Sequence, residues 1–178
     1  MNIKEYQINA ARTCADLGSK DNNLFHMEMG ICTERGELVD IYKKFFAYGK
    51  EMDLVHLKEE LGDICFYQAN KDTFLGYFYS EDQINFEGLV QLEATTNFEE
   101  RKEGVFMLWV DSLETLDRAS MWSLIYLTCR IYGIDFEDML ETNINKLRKR
   151  YPEAFFNQTD ALNRDLDAER KVLENGNQ

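Results

Sequence analysis

Two short stretches decide how this chain is read: Thr33-Glu34-Arg35-Gly36-Glu37-Leu38-Val39-Asp40 and, further on, Glu59-Glu60-Leu61-Gly62-Asp63-Ile64-Cys65-Phe66-Tyr67. Each carries two carboxylates three residues apart, Glu34 with Glu37 and Glu60 with Asp63, and 22 residues separate the pairs. Residues i and i+3 share a helix face, so each pair can converge on one point. Apolar residues recur around both pairs at helical spacing. Leu24, Ile31, Leu38, Tyr42 and Phe45 form one stripe; Leu57, Leu61, Ile64, Cys65 and Gln68 form the other. At about 100° per residue, Glu34 falls roughly 60° from the centre of the first stripe, at its edge rather than opposite it. Asp63 is bracketed by Phe66 and Tyr67. Carboxylates so placed are costly unless charge is compensated. Hard divalent cations supply that compensation, and Mg²⁺ takes a few carboxylates, waters and substrate phosphates. The plain alternative is two solvated acidic faces in an acidic protein.

The helical period extends outward from these stretches. A first helix spans 3–17, with Gly18 as its stop. Asp21 or Asn22 caps a second that runs to Tyr48 and Gly49. Asp53 caps a third from Leu54. Residues 71–97 read less clearly, with Tyr77–Ser80 as a short strand or Glu81–Leu92 as a short helix. From Phe98 to Tyr132 the pattern is helical, with a break near Arg118-Ala119-Ser120. Gly133 stops it, Asp135 caps a helix through Arg150, and Pro152 closes that one. Thr159 or Asp160 caps a last charged helix that frays by Gly176. The expectation is one all-α domain over residues 1–178: a bundle of four to five core helices, an inserted and mostly helical segment at 71–118, and a C-terminal helical tail at 157–178. Phe74, Tyr77, Phe78, Phe106 and Trp109 make the insertion too aromatic for a disordered loop. They either extend the core or cover a pocket or interface.

Composition removes several function classes. The chain has 178 residues, 20 Lys+Arg against 33 Asp+Glu, and a net charge of -13. Proteins that bind nucleic-acid polymers or anionic membranes are normally basic, so neither partner is expected. No apolar run approaches the ~18 residues of a membrane span. The four cysteines show no metal-binding spacing. With no secretory pattern at Met1-Asn2-Ile3-Lys4, they read as reduced, buried thiols of a cytoplasmic protein. Neither GxxxxGK[ST] nor GxGxxG is present, and no nucleophile has a readable base partner. A ferritin-like iron site needs Glu-x-x-His twice; the only histidines, His26 and His56, do not supply it and read as surface or edge residues. Lys146, Arg148, Lys149 and Arg150 cluster at a helix C-terminus, where the macrodipole favours cations. They and Lys43-Lys44 are the local cations that a polyphosphate would need. Gly36 and Gly62 sit inside helices, where glycine costs roughly 1 kcal/mol against alanine, and so point to close approach.

Glu34-x-x-Glu37 followed by Glu60-x-x-Asp63 resembles the ExxE…ExxD signature of the MazG-like all-α nucleoside triphosphate pyrophosphohydrolases. Gly36-Glu37-Leu38-Val39-Asp40 with Lys43-Lys44 is similar to their first motif helix, and Glu60 to Tyr67 to the second. Gly133-Ile134-Asp135, Asn143 to Leu147 and Arg150-Tyr151-Pro152 resemble their closing helix, Tyr6-Gln7 their opening one, and Ala161 to Asp165 a tail of some members. The resemblance covers residues 3–70 and 119–170. Thr33 stands where some members carry a further acid. The resemblance implies Mg²⁺-dependent (Mn²⁺ substituting) hydrolysis of (deoxy)nucleoside triphosphates to a monophosphate and pyrophosphate. The metal set would be Glu34, Glu37, Glu60 and Asp63, with Glu34 also taking the water's proton. Lys146 and Arg150 would hold the phosphate tail, with Asn143 on phosphate or sugar. It also implies dimers or tetramers. A dUTPase-like or dUDP-hydrolysing preference and a non-catalytic helical assembly module are the rivals.

Overall fold

Asn2 starts the chain's first helix by a reciprocal cap: its Oδ1 accepts from the Glu5 amide at 2.9 Å, and Glu5 accepts from the Asn2 amide at 3.2 Å. The computed structural model describes residues 1–78, 98–112 and 118–175. Among these residues every element is helical: α1 (Ile3–Arg12), α2 (Lys20–Tyr48), α3 (Leu54–Leu75), α4 (Phe98–Ser112), α5 (Arg118–Tyr132), α6 (Phe136–Arg150), α7 (Gln158–Leu162) and α8 (Leu166–Asn175). None of these helices is long and apolar enough to cross a membrane.

The centre is an αα-hairpin. Gly49 ends α2 at φ 62°, and Asp53 opens α3 by accepting from the His56 amide at 3.0 Å. That short connection lays α2 along α3, and α1 and α6 pack on α3 and on each other. Leu38, Tyr42, Leu57, Leu61, Ile64, Trp122, Ile125 and Leu140 fill the space between them without solvent contact, each contributing about 1.5–3 kcal/mol by burial. Gln68 and Trp122 both donate to buried Asp72, at 2.9 and 3.1 Å, so the far end of α3 is tied to α5.

Several boundaries differ from the sequence reading. α1 stops at Arg12, not residue 17: the Asp16 side chain accepts from the Gly18 amide at 2.9 Å, and Asn23 accepts from the Leu17 amide at 2.7 Å. Side chains thus offer the backbone a turn instead of another helical turn. Ser19, not Asp21 or Asn22, caps α2. The tail is two helices: Asn157 caps α7, and Asp165 accepts from the Ala168 amide at 3.0 Å as α8 begins. The Gly133 stop and the Asp135 cap stand where the sequence put them.

α3 runs to Leu75, so 71–75 continues a core helix. Trp109 and Val105 of α4 are fully buried in the main core, and Phe106 packs against Tyr42 and Phe46 at ring separations of 5.2 Å. This part of the 71–118 segment extends the core, while Tyr77 and Phe78 are exposed and not helical. The Glu81–Leu92 helix, the rest of the Tyr77–Ser80 strand and the fraying at Gly176 lie outside the described residues. The helix expected to break near Arg118 resumes there as α5.

Candidate active site

Two glycines let the acidic helices meet their neighbours. A Cβ on Gly62 would stand 2.9–3.2 Å from the Asn143 side chain, so α6 can seat Asn143 directly on α3. A Cβ on Gly30 would collide with the Tyr67 ring. Gly36, expected to mark a second close approach, faces open space, because its position on α2 turns it to solvent.

Asp63 is held from α6. Lys146, with no solvent exposure, places its ammonium 2.6 Å and 2.5 Å from the two Asp63 oxygens and 3.5 Å from Glu59. Asn143 donates to Asp63 Oδ1 at 2.8 Å. The Tyr6 hydroxyl lies 2.7 Å from Asn143 Oδ1 and 3.2 Å from the Gly62 carbonyl. Burial first, then the neighbouring Cys65 and Asp63, hold the Tyr6 phenol well above its ordinary range, so it stays a donor. Donating to Asn143 Oδ1, it turns the amide nitrogen toward Asp63.

The other acids converge beside this cluster. Glu60 is only 4% exposed, and its Oε1 lies 2.8 Å from His56 Nε2. Its Oε2 is buried and accepts from no donor. Glu34 lies within hydrogen-bond reach of Glu60, a bond that needs one of the two carboxyls to keep a proton. Burial first, then that bond to Glu34 and the charge of Asp63, push Glu60 up to about 9. Burial and Asp63 raise Glu34 as well. Glu37, His56 and Glu60 each offer a ligand atom within 4.8 Å of the others. A divalent cation fits this donor set: it would replace the shared proton and give the orphaned Oε2 a partner. Of the expected quartet, Glu34, Glu37 and Glu60 are available to it, whereas Asp63 is already neutralised by Lys146.

A cavity of about 240 Å³ opens alongside, with Glu34, Asp63, His26, Tyr67, Arg150 and Arg164 in its wall. The His26 ring meets Tyr67 edge-on at 5.9 Å, and its Nδ1 is buried without a hydrogen-bond partner. The tail closes one side. Glu169 of α8, 2% exposed, accepts from Arg150 at 3.0 and 2.7 Å and from Arg164 at 3.4 and 2.7 Å. Burial alone would raise the Glu169 carboxyl, but the two guanidinium groups outweigh it and hold it at about 2.

The expected phosphate-binding set therefore divides. Arg150 faces the cavity; Asn143 and Lys146 serve Asp63. Lys43 and Lys44 pair with Asp40 on an exposed turn of α2 and do not line the cavity. His56, read as an edge residue outside the chemistry, touches Glu60; the signal was its position four residues before Glu60. Tyr6, Arg164 and Glu169 have no functional role in the sequence reading: Tyr6 meets Asn143 from 137 residues away, and the Arg164–Glu169 pair is local but matches no motif. All four cysteines are free; Cys65 and Cys129 are buried as expected, Cys14 is half-buried and Cys32 is exposed. Comparison with protein-family models, curated proteins and solved structures finds no match to this chain.

Proposed function

We propose that this chain is a divalent-cation-dependent hydrolase that splits (deoxy)nucleoside triphosphates between the α and β phosphates, as its resemblance to MazG-like pyrophosphohydrolases implies. The observation that carries the reading is the buried, donorless oxygen of Glu60 among converging carboxylates, beside a cavity whose wall also holds Arg150 and Arg164. Mg²⁺ held by Glu34, Glu37 and Glu60 would supply charge neutralisation at the phosphates and activation of the attacking water. The chain's own groups do the rest. Arg150 and Arg164 offer the cavity its positive charge, oriented by Glu169. Glu34 lines the cavity and takes the proton of the water whose oxygen bonds the α-phosphorus. The bond from that phosphorus to the bridging oxygen breaks, and pyrophosphate leaves. Lys146 acts through Asp63, fixing its carboxylate rather than reaching for phosphate.

A nucleotide panel with Mg²⁺, its products separated by ion exchange, tests this. Monophosphate and pyrophosphate are expected. Orthophosphate without monophosphate would sink the reading, and a response confined to dUTP or dUDP would move it to the dUTPase-like branch. The Asp63–Lys146 pair is the observation that favours an assembly module, because it balances one acid with no cation bound. Calorimetry decides: a module shows no Mg²⁺ or Mn²⁺ binding, with or without nucleotide. Association into two or four copies belongs to the same reading, motivated by exposed Phe25 and Met29 on α2. A 21.0 kDa species in light scattering would refute it.

A further inference from the structure

We infer that His56 is a direct nitrogen ligand in a cation site with Glu37 and Glu60, and that this nitrogen turns the site from Mg²⁺ toward first-row transition cations such as Mn²⁺. His56 and Glu60 are i and i+4 on α3, so their side chains meet on one face. Glu37 reaches the same point from α2, and the three ligand atoms lie within 4.8 Å of one another. Two ligand atoms at right angles around a cation, with bonds of about 2.1 Å, stand about 3.0 Å apart. The His56 Nε2 to Glu60 Oε1 separation is 2.8 Å, close to that spacing. The Glu60 side chain is 5% exposed; its Oε1 meets His56, and its Oε2 is buried with no donor, so one oxygen of the set is open to a ligand. Among the described residues no ion pair to Glu37 competes for the site, and Lys58, on the same helix, is committed to Asp138.

The choice of cation follows from the donors. Mg²⁺ is small, keeps its waters and selects oxygen. Imidazole nitrogen suits the first-row transition cations, whose affinities at a mixed site rise from Mn²⁺ toward Cu²⁺. One imidazole among carboxylates therefore favours Mn²⁺ over Mg²⁺ at equal concentration. The inference shares carboxylates with the proposed hydrolytic site, and it rests on that reading only for where the cation sits.

The test uses the full chain and Mn²⁺ alone, without nucleotide, in buffer at a fixed, mildly alkaline pH. Electron spin-echo modulation of bound Mn²⁺ is expected to show coupling to one ¹⁴N nucleus. With only two histidines in the chain the assignment is simple. His56→Gln is expected to abolish that coupling and weaken Mn²⁺ roughly tenfold, while Mg²⁺ changes by less than about threefold. His26→Gln is expected to leave the coupling intact. His56 is 32% exposed, so the substitution leaves the core untouched, and circular dichroism checks the fold. Absence of nitrogen coupling in the natural chain, its persistence in His56→Gln, or equal weakening of both cations would overturn the inference and leave His56 a hydrogen-bond partner of Glu60. Nitrogen coupling in a protein that hydrolyses no nucleotide would uphold the site while ending the hydrolase reading.

Discussion

Replacing Lys146 with methionine removes one buried ammonium and little else, since the side chains are of similar length. Lys146 is fully buried and serves both oxygens of Asp63. Breaking a buried pair from one side costs about 3–5 kcal/mol, because the remaining charge is stranded. Asp63 retains 24% side-chain exposure and the Asn143 bond, which lower the expected loss to about 2–4 kcal/mol. For a chain of this length that is roughly 5–15 °C in Tm. In the K146M/D63N double variant no charge is stranded, so a coupling energy on the order of 2 kcal/mol should be recovered. Divalent cation adds a third arm. In K146M the Asp63 carboxylate is released to the acids beside it, so Mg²⁺ should stabilise K146M more than the natural chain. The stabilisation is about 2.7 kcal/mol at a hundredfold excess over Kd. Urea denaturation followed by circular dichroism, with chelator and with Mg²⁺, reads all of these. A loss below about 1 kcal/mol, or a double variant whose loss is the sum of the single ones, would refute the claim that Lys146 holds Asp63 in place.

Gly62→Ala should cost about 1–3 kcal/mol, as its Cβ would press on Asn143. Gly36→Ala, pointing into open space, should gain about 0.5–1 kcal/mol in the same melts. For Glu60 the folded-state carboxyl is raised from 4.5 to about 9, so its protonated form is favoured by folding. Stability of metal-free protein should fall as pH rises across that window, and saturating divalent cation should flatten the slope. Glu60→Gln should remove the slope and the cation response together. Glu169 shifts the other way, from 4.5 to about 2: its contribution is present above 4.5 and is lost as pH falls toward 2. Glu169→Gln should destabilise by roughly 1–3 kcal/mol at neutral pH and abolish that acid limb; an unchanged acid melt would count against the arginine clamp.

What was legible in the sequence was local. Gly49, Asp53, Gly133 and Asp135 act within one turn of their own positions, and each marks the boundary it was read to mark. The Glu34–Glu37 and Glu60–Asp63 spacings likewise fall within single helices, α2 and α3, as read. What failed depended on residues far apart in the chain. Cys14 to Leu17 continue an apolar period, yet Asn23, on the next helix, takes the Leu17 amide and α1 ends early. Gly36 and Gly62 look alike in sequence, but only the one that meets α6 is a close approach. Lys146 reads as a helix-end cation for a phosphate tail and instead is buried against Asp63, 83 residues earlier.

The balance of charge at the site is the ground on which we propose a bound cation there. Five carboxylates crowd this end of α2 and α3: Glu34, Glu37, Glu59, Glu60 and Asp63. The chain supplies one buried ammonium, Lys146, which Asp63 takes and Glu59 shares at 3.5 Å. Arg170 stands 3.9 Å from Glu59 and is half in solvent, so it adds little. Among the described residues no Lys or Arg forms an ion pair with Glu34 or Glu60; Lys146 acts on Glu34 only from a distance, Glu60 meets His56, and the two carboxyls lower their cost by keeping a proton. Across the cavity the balance reverses: Arg150 and Arg164 share a single carboxylate, Glu169. One wall is short of positive charge and the other has it in excess. On the proposed reading a divalent cation would satisfy the first, and an anionic ligand carrying that cation would satisfy both. A metal-bound polyphosphate has this shape of charge, whereas a free anion would face the unpaired acids and a bare cation would leave the second guanidinium with half a partner.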